Sequence, residues 1–179
     1  MAYQLTPWGY EVDGPLPPLA SDAESASAAI RNACGWHVAP EMECRCTFDI
    51  DVPTRSLWLP ARNVTGVSSV TVGDEEVTDF QWSRLGQVLL GSTAPRGLRS
   101  VVVEYVAGAD DAGDLAALAT GVAARARALA SRPGVTSETA GGVTVSVSAS
   151  MAAASAAPFL TDVERAALAP HRVVRSHAT

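Results

Sequence analysis

The sequence predicts an α+β fold in which a small helical core carries an inserted antiparallel β-module. Three observations lead there. Apolar residues recur at three-to-four spacing in two stretches, and capping residues open three segments. Between the first two segments the pattern switches to strict alternation, the period of a half-buried strand. Turn signals then punctuate that region every ~8 to 12 residues, as in a small sandwich or barrel. A chain of 179 residues, 47% of them apolar, can bury roughly 70% of its unfolded surface, enough for one core.

Residues 1–20 read as an extended arm, because Pro15, Pro17 and Pro18 bar a helix and press their predecessors toward extended geometry. Trp8 and Tyr10 are large for a frayed end, and the sharper reading lays them on a neighbouring subunit. The first helix is placed at about 22–34. Ser21 and Glu24 form its capping box, Ala23, Ala26, Ala29, Ile30 and Ala33 its stripe, and Gly35 its left-handed stop. The β-module occupies about 41–107. In "MECRCTFDI", Met42, Cys44, Cys46 and Phe48 share one face while Glu43, Arg45 and Thr47 share the other. "SLWLP", "VTGVSSVTV", "VTDFQW", "QVLL" and "SVVVEYVAG" supply further strands, with a turn at 73–76 and a loop, "GSTAPRG", at 91–97.

A second helix follows at about 114–131, capped by Asp110, Asp111 or Asp114. Leu115, Leu118, Ala119, Val122, Ala126 and Leu129 share one face, and Arg125 and Arg127 oppose its negative pole. "VTSETAGGVTVSVS" reads as a hairpin at about 135–148 that turns at Gly141 and Gly142. The last helix is placed at about 161–169, with Thr161 and Glu164 as a second capping box, Leu160 as staple and Pro170 as stop. The expected organisation is an arm over 1–20, one domain over 21–170 and a tail over 171–179.

Composition narrows the function classes. A net charge of −6 disfavours a nucleic-acid grip, which needs clustered cations, and leaves room for DNA that passes without being held. All thirteen basic residues are arginine. No apolar run approaches the ~20 residues of a membrane helix. "MAYQLTPWGYEVDGPLPP" lacks the basic and apolar regions of a secretory signal, so a cytosolic protein is expected. Three cysteines leave any disulfide framework one thiol over.

Several constellations suggest chemistry. Cys34, His37, Cys44 and Cys46 offer four soft zinc ligands, but C-x2-H-x6-C-x-C is not a knuckle spacing. Cys44 and Cys46 share the face of Met42 and Phe48, which favours core packing. Cys34 with His37 as a thiol nucleophile and its base lacks a third, orienting group. No nucleophile elbow, phosphate loop, dinucleotide fingerprint or H-E-x-x-H run is present. "DDAGD" lacks the downstream glutamate of a calcium loop and reads as a helix cap. Trp36, Trp58 and Trp82 read as core or junction residues, although Trp58 faces opposite to both Leu57 and Leu59. The reading is a chain with no catalytic, metal or cofactor site.

The phrases "AIRNACGWHVAP", "LWLPARNVTGVSSVTVGDEEV" with "FQWSRLGQVLL", the long run from "VVVEYVAGADDAGD" to "GGVTVSVS", and "FLTDVERAALAPHRV" span about residues 21–174. In that order the chain resembles the head-to-tail adaptor (head completion or connector) proteins of long-tailed bacteriophages, especially those infecting actinobacteria. The arm and "ASMAAASAAP" lie outside the resemblance. It implies a β-module inserted between the first two helices of a connector core. It also implies a structural, non-enzymatic virion protein, assembled in the host cytoplasm into a homo-oligomeric ring, usually of twelve copies, in the neck. That ring would sit under the portal protein, receive a tail-side stopper protein and surround passing DNA. Candidate interface residues are then Trp8 and Tyr10 of the arm, Trp36 at the joint, Val143, Val145 and Val147 of the hairpin, and Arg172, Val173, Val174 and Arg175 of the tail. The competing expectation is a small β-sandwich module that binds carbohydrate or a host surface, with tryptophans as its platform.

Overall fold

Alternation and capping do build a mixed α+β protein. The computed structural model describes residues 3–110, 112–130, 137–140, 143–146 and 160–173, the side chains of 129, 137–140 and 143–146 excepted. The strands are β1 (Tyr3–Leu5), β2 (Glu11–Asp13), β3 (Met42–Ile50), β4 (Thr54–Trp58), β5 (Val64–Val72), β6 (Glu75–Glu76), β7 (Phe80–Trp82), β8 (Gln87–Ala94), β9 (Gly97–Ala107), β10 (Ser137–Ala140) and β11 (Val143–Ser146). The helices are α1 (Glu24–Cys34), α2 (Gly113–Ala130) and α3 (Asp162–Ala167), and a 3-10 turn follows at Ala169–His171. The chain divides into two units, one of Met1–Pro17, Arg31–Ala112 and Leu168–Thr179, the other of Pro18–Ile30 and Gly113–Ala167. Residues 3–17 and 168–173 belong to the unit that holds the β-module.

In that first unit the larger sheet has the order β1-β2-β3-β9-β5-β6, all antiparallel. The alternation read in 42–48 places Cys44 opposite Tyr105 and Cys46 opposite Val103, and all four are buried. Their neighbours Arg45 and Glu104 pair on the other face. The smaller sheet has the order β4-β8-β7. It buries Leu57, Val88 and Leu90 and turns Trp58 outward. The loop expected at 91–97 shrinks to two residues between β8 and β9, because Ala94 pairs with Thr54.

The N-terminal arm is corrected to a hairpin. The Thr6 amide and hydroxyl both donate to the Tyr10 carbonyl, at 2.8 and 2.7 Å, and Val12 pairs with Cys44. The three prolines lie after β2, so they exclude a helix without preventing residues 3–13 from capping the edge of β3. That pairing buries Tyr10 and Val12 inside their own chain.

In the second unit, α1 begins at Glu24, after a tight turn in which the Ala23 amide reaches the Ala20 carbonyl and Asp22 takes φ 55°. The first turn therefore does not start at Ser21. Helix α2 buries Leu115, Ala119, Val122 and Ala123. The capping box of α3 forms as expected: the Glu164 amide donates to Thr161 Oγ1 at 3.3 Å, and the Thr161 amide donates to Glu164 Oε2 at 2.7 Å. Arg125 adds two bonds of 2.8 Å to the Glu164 carboxylate. This bidentate pair holds Glu164 below the usual carboxylate range. Strands β10 and β11 pair from Ser137–Ser146 to Ala140–Val143; the expected turn at Gly141 and Gly142 lies outside the described residues.

Candidate functional site

The stretch from Arg31 to Pro40, richest in chemistry-bearing side chains, forms a buried polar hub in the first unit. Gly35 ends α1 as expected, at φ 80°, with its amide on the Arg31 carbonyl at 2.8 Å. The backbone then turns through Val38 at φ 64° and a cis Ala39–Pro40 bond. This path directs Trp36 and His37 inward, where they are 2% and 0% exposed.

His37 is fully committed. Its Nε2–H donates to the Ala107 carbonyl at 2.9 Å, which leaves Nδ1 to accept the Tyr10 hydroxyl at 2.8 Å. The Tyr10 oxygen in turn accepts the His37 backbone amide at 2.9 Å. A neutral imidazole satisfies every bond in this ring. Burial pushes the His37 pKa down to about 4, and the charge of nearby Arg31 adds to the effect. Burial likewise raises the Tyr10 phenol above its ordinary value.

Arg31, also buried, is held by carbonyls: Nε donates to His37 at 2.8 Å, and one terminal nitrogen donates to Pro17 at 2.7 Å and to Ala39 at 2.6 Å. Burial lowers its pKa. Trp36 Nε1 donates to the His171 carbonyl at 2.6 Å, and the Val173 amide donates to the Cys34 carbonyl at 3.0 Å. Arg62 donates to the carbonyls of Pro170 and Arg172 at 3.2 and 3.1 Å. The hub therefore joins the N-terminal hairpin, the end of α1, the end of β9 and the C-terminal segment.

No protein-family model matches the sequence, and no curated protein matches it.

Several expected interface residues are accounted for inside the chain. Tyr10 and Trp36 are buried within their own chain, with hydroxyl and indole N–H bonded to His37 and His171. Trp8 is half-buried and stacks on Tyr10 with ring centres 6.2 Å apart. The tail, expected to supply interface residues, has partners in its own chain through residue 173: the backbone of Arg172 and Val173 is bonded to Arg62 and Cys34. Val174, Arg175 and Val147 lie outside the described residues; Val143 and Val145 lie on β11.

The four soft atoms of Cys34, His37, Cys44 and Cys46 do not gather into a metal site among the described residues. Both His37 nitrogens have other partners. Burial raises the thiols of Cys34 to about 11 and of Cys44 and Cys46 to about 12, which keeps them protonated and poor as ligands or nucleophiles. No described helix is long and apolar enough to cross a membrane.

The tryptophans divide. Trp36 is core, as expected. Trp58 and Trp82 are corrected to surface residues, 52% and 40% exposed. Trp58 shares the outer face of the smaller sheet with Gln87, opposite it, and with Leu89, 43% exposed, two residues along. Trp82 lies on the parity of Val88 but on an edge strand, where no strand among the described residues continues the sheet.

Proposed function

We propose that this chain is a structural head-to-tail adaptor of a long-tailed bacteriophage, forming a ring of its own copies under the portal. The observation that carries the reading is the order of elements. An antiparallel module over residues 42–107 sits between α1 and α2, and a hairpin and a short capped helix follow, as the sequence resemblance implies. The hub supports it: the side chains most able to do chemistry, His37, Tyr10, Arg31 and Cys34, are buried and bonded internally or held neutral. In this reading the portal protein and a tail-side stopper protein are the partners, the virion neck is the location, and DNA passes without sequence-specific contact. The test is reconstitution of the purified chain on portal rings, imaged by electron microscopy. A ring of this chain on the portal's tail-facing side is expected; portal rings that stay bare overturn the reading.

A second reading rests on Trp58. An exposed indole beside Gln87 on a sheet face is a surface on which a sugar ring can stack. Glycan-array binding that disappears with Trp58→Ala would favour a carbohydrate module, and a blank array would remove it.

A further inference from the structure

Hydrogen bonds link the neighbourhood of three arginines at one corner of the first unit. Arg84 Nε donates to Asn63 Oδ1 at 2.7 Å, which fixes it beside the Arg62–Asn63 pair. Asn63 is itself fixed at φ 54°, with its Nδ2 bonded to the Gly108 carbonyl. Arg62 holds the backbone of Arg172 at 3.1 Å. Arg84 and Arg172 are exposed, Arg62 is half-buried, and among the described residues none of the three pairs with a carboxylate. Cations without a carboxylate partner, in a chain of net charge −6, gain when an acidic surface covers them.

The outer face of the six-stranded sheet in the same unit carries the opposite imbalance. Reading across the strands, Leu5 faces Glu11, Glu11 faces Arg45, Arg45 faces Glu104 and Glu104 faces Ser69. Asp13 and Glu43 lie on that face one pleat further along. On this register Glu11, Glu43 and Glu104 neighbour the single cation Arg45, which reaches Glu104 at only 3.9 Å. Tyr3, opposite Asp13, registers the field: burial first, then Glu104, Glu43 and Asp13, raise its pKa.

We infer that the Arg62–Arg84–Arg172 corner receives the acidic outer sheet face of a second copy of this chain. The two surfaces differ, so the contact is head-to-tail, the type that generates rings or filaments rather than closed two-fold pairs. This inference rests on the self-assembling reading above and supplies its interface. The charges set partner choice and register, and salt screens them.

The test is light scattering of the full chain across protein concentration and sodium chloride. Self-association is expected to weaken about tenfold or more as salt rises from near 0.05 to 0.5 M. The double variant Arg84→Glu with Arg172→Glu is expected to lose association, and so is Glu11→Arg with Glu43→Arg. Mixing the two in equal amounts restores it, because the native corner of one meets the native face of the other. Circular dichroism checks that each variant folds. Self-association that ignores salt, or variants that do not rescue each other, overturns the interface. So do arginine changes that abolish binding to short duplex DNA and leave association intact. Portal rings that still bind the charge variants would sink this interface and leave the adaptor reading standing.

Discussion

Acidification below pH 6.5 should first loosen this protein at His37. In the fold burial favours the neutral imidazole, with Nδ1 accepting the Tyr10 hydroxyl and Nε2–H donating to Ala107. Burial lowers its pKa from 6.5 to about 4. Protonation inside the fold is therefore roughly three-hundred-fold less favourable than in the unfolded chain, about 3 kcal/mol. The sign follows from a depressed pKa. The full stability is present above pH 6.5, falls as pH drops because the unfolded chain takes up the proton first, and stops falling from this source near pH 4. Urea unfolding followed by tryptophan fluorescence at several pH values measures this slope, with His37→Gln as comparison. Glutamine keeps a donor for Ala107 and does not titrate. The variant should be less stable by about 1–2 kcal/mol at pH 7, since Tyr10 loses its acceptor, and should show a flatter decline between pH 6.5 and 4. Identical slopes in the two proteins would refute the assignment of the acid sensitivity to His37.

Four further outcomes follow from the contacts described. Tyr10→Phe leaves His37 Nδ1 and its backbone amide without their partner and should cost about 2–3 kcal/mol. Tyr105→Phe should change stability by no more than about 1 kcal/mol, because its buried hydroxyl has only the weakly bonding Cys44 thiol to meet; chemical denaturation of the pair tests both. Gly108→Ala places a methyl against the backbone of Pro40 and Glu41 at φ 128°, so a loss of about 2–4 kcal/mol, or failure to fold, is expected in a thermal melt. Thr161→Ala removes the cap of α3 and should cost the second unit about 1 kcal/mol, read as faster amide exchange over 162–167.

What the sequence made legible is what neighbours in the chain decide. Thr161 and Glu164 are three residues apart, and their reciprocal bonds follow from that spacing. The alternation around Cys44 and Cys46 announces a buried face because a strand has only two. Gly35 marks the end of α1 because left-handed geometry favours glycine. The hub escaped such reading because its bonds join distant positions: Tyr10 to His37, His37 to Ala107, Trp36 to His171 across 135 residues. A three-residue strand such as β2 is too short to show its period, and it exists because β3 offers an edge to pair with. Trp58 shows the limit from the other side. Its alternation with Leu57 and Leu59 gives its direction correctly, but whether that face is covered depends on the sheet's surroundings, which no local pattern encodes. The histidine beside Cys34 looked like chemistry for the same reason. A side chain that can ligate or transfer a proton can equally well join four segments of chain, and only its partners in space decide which it does.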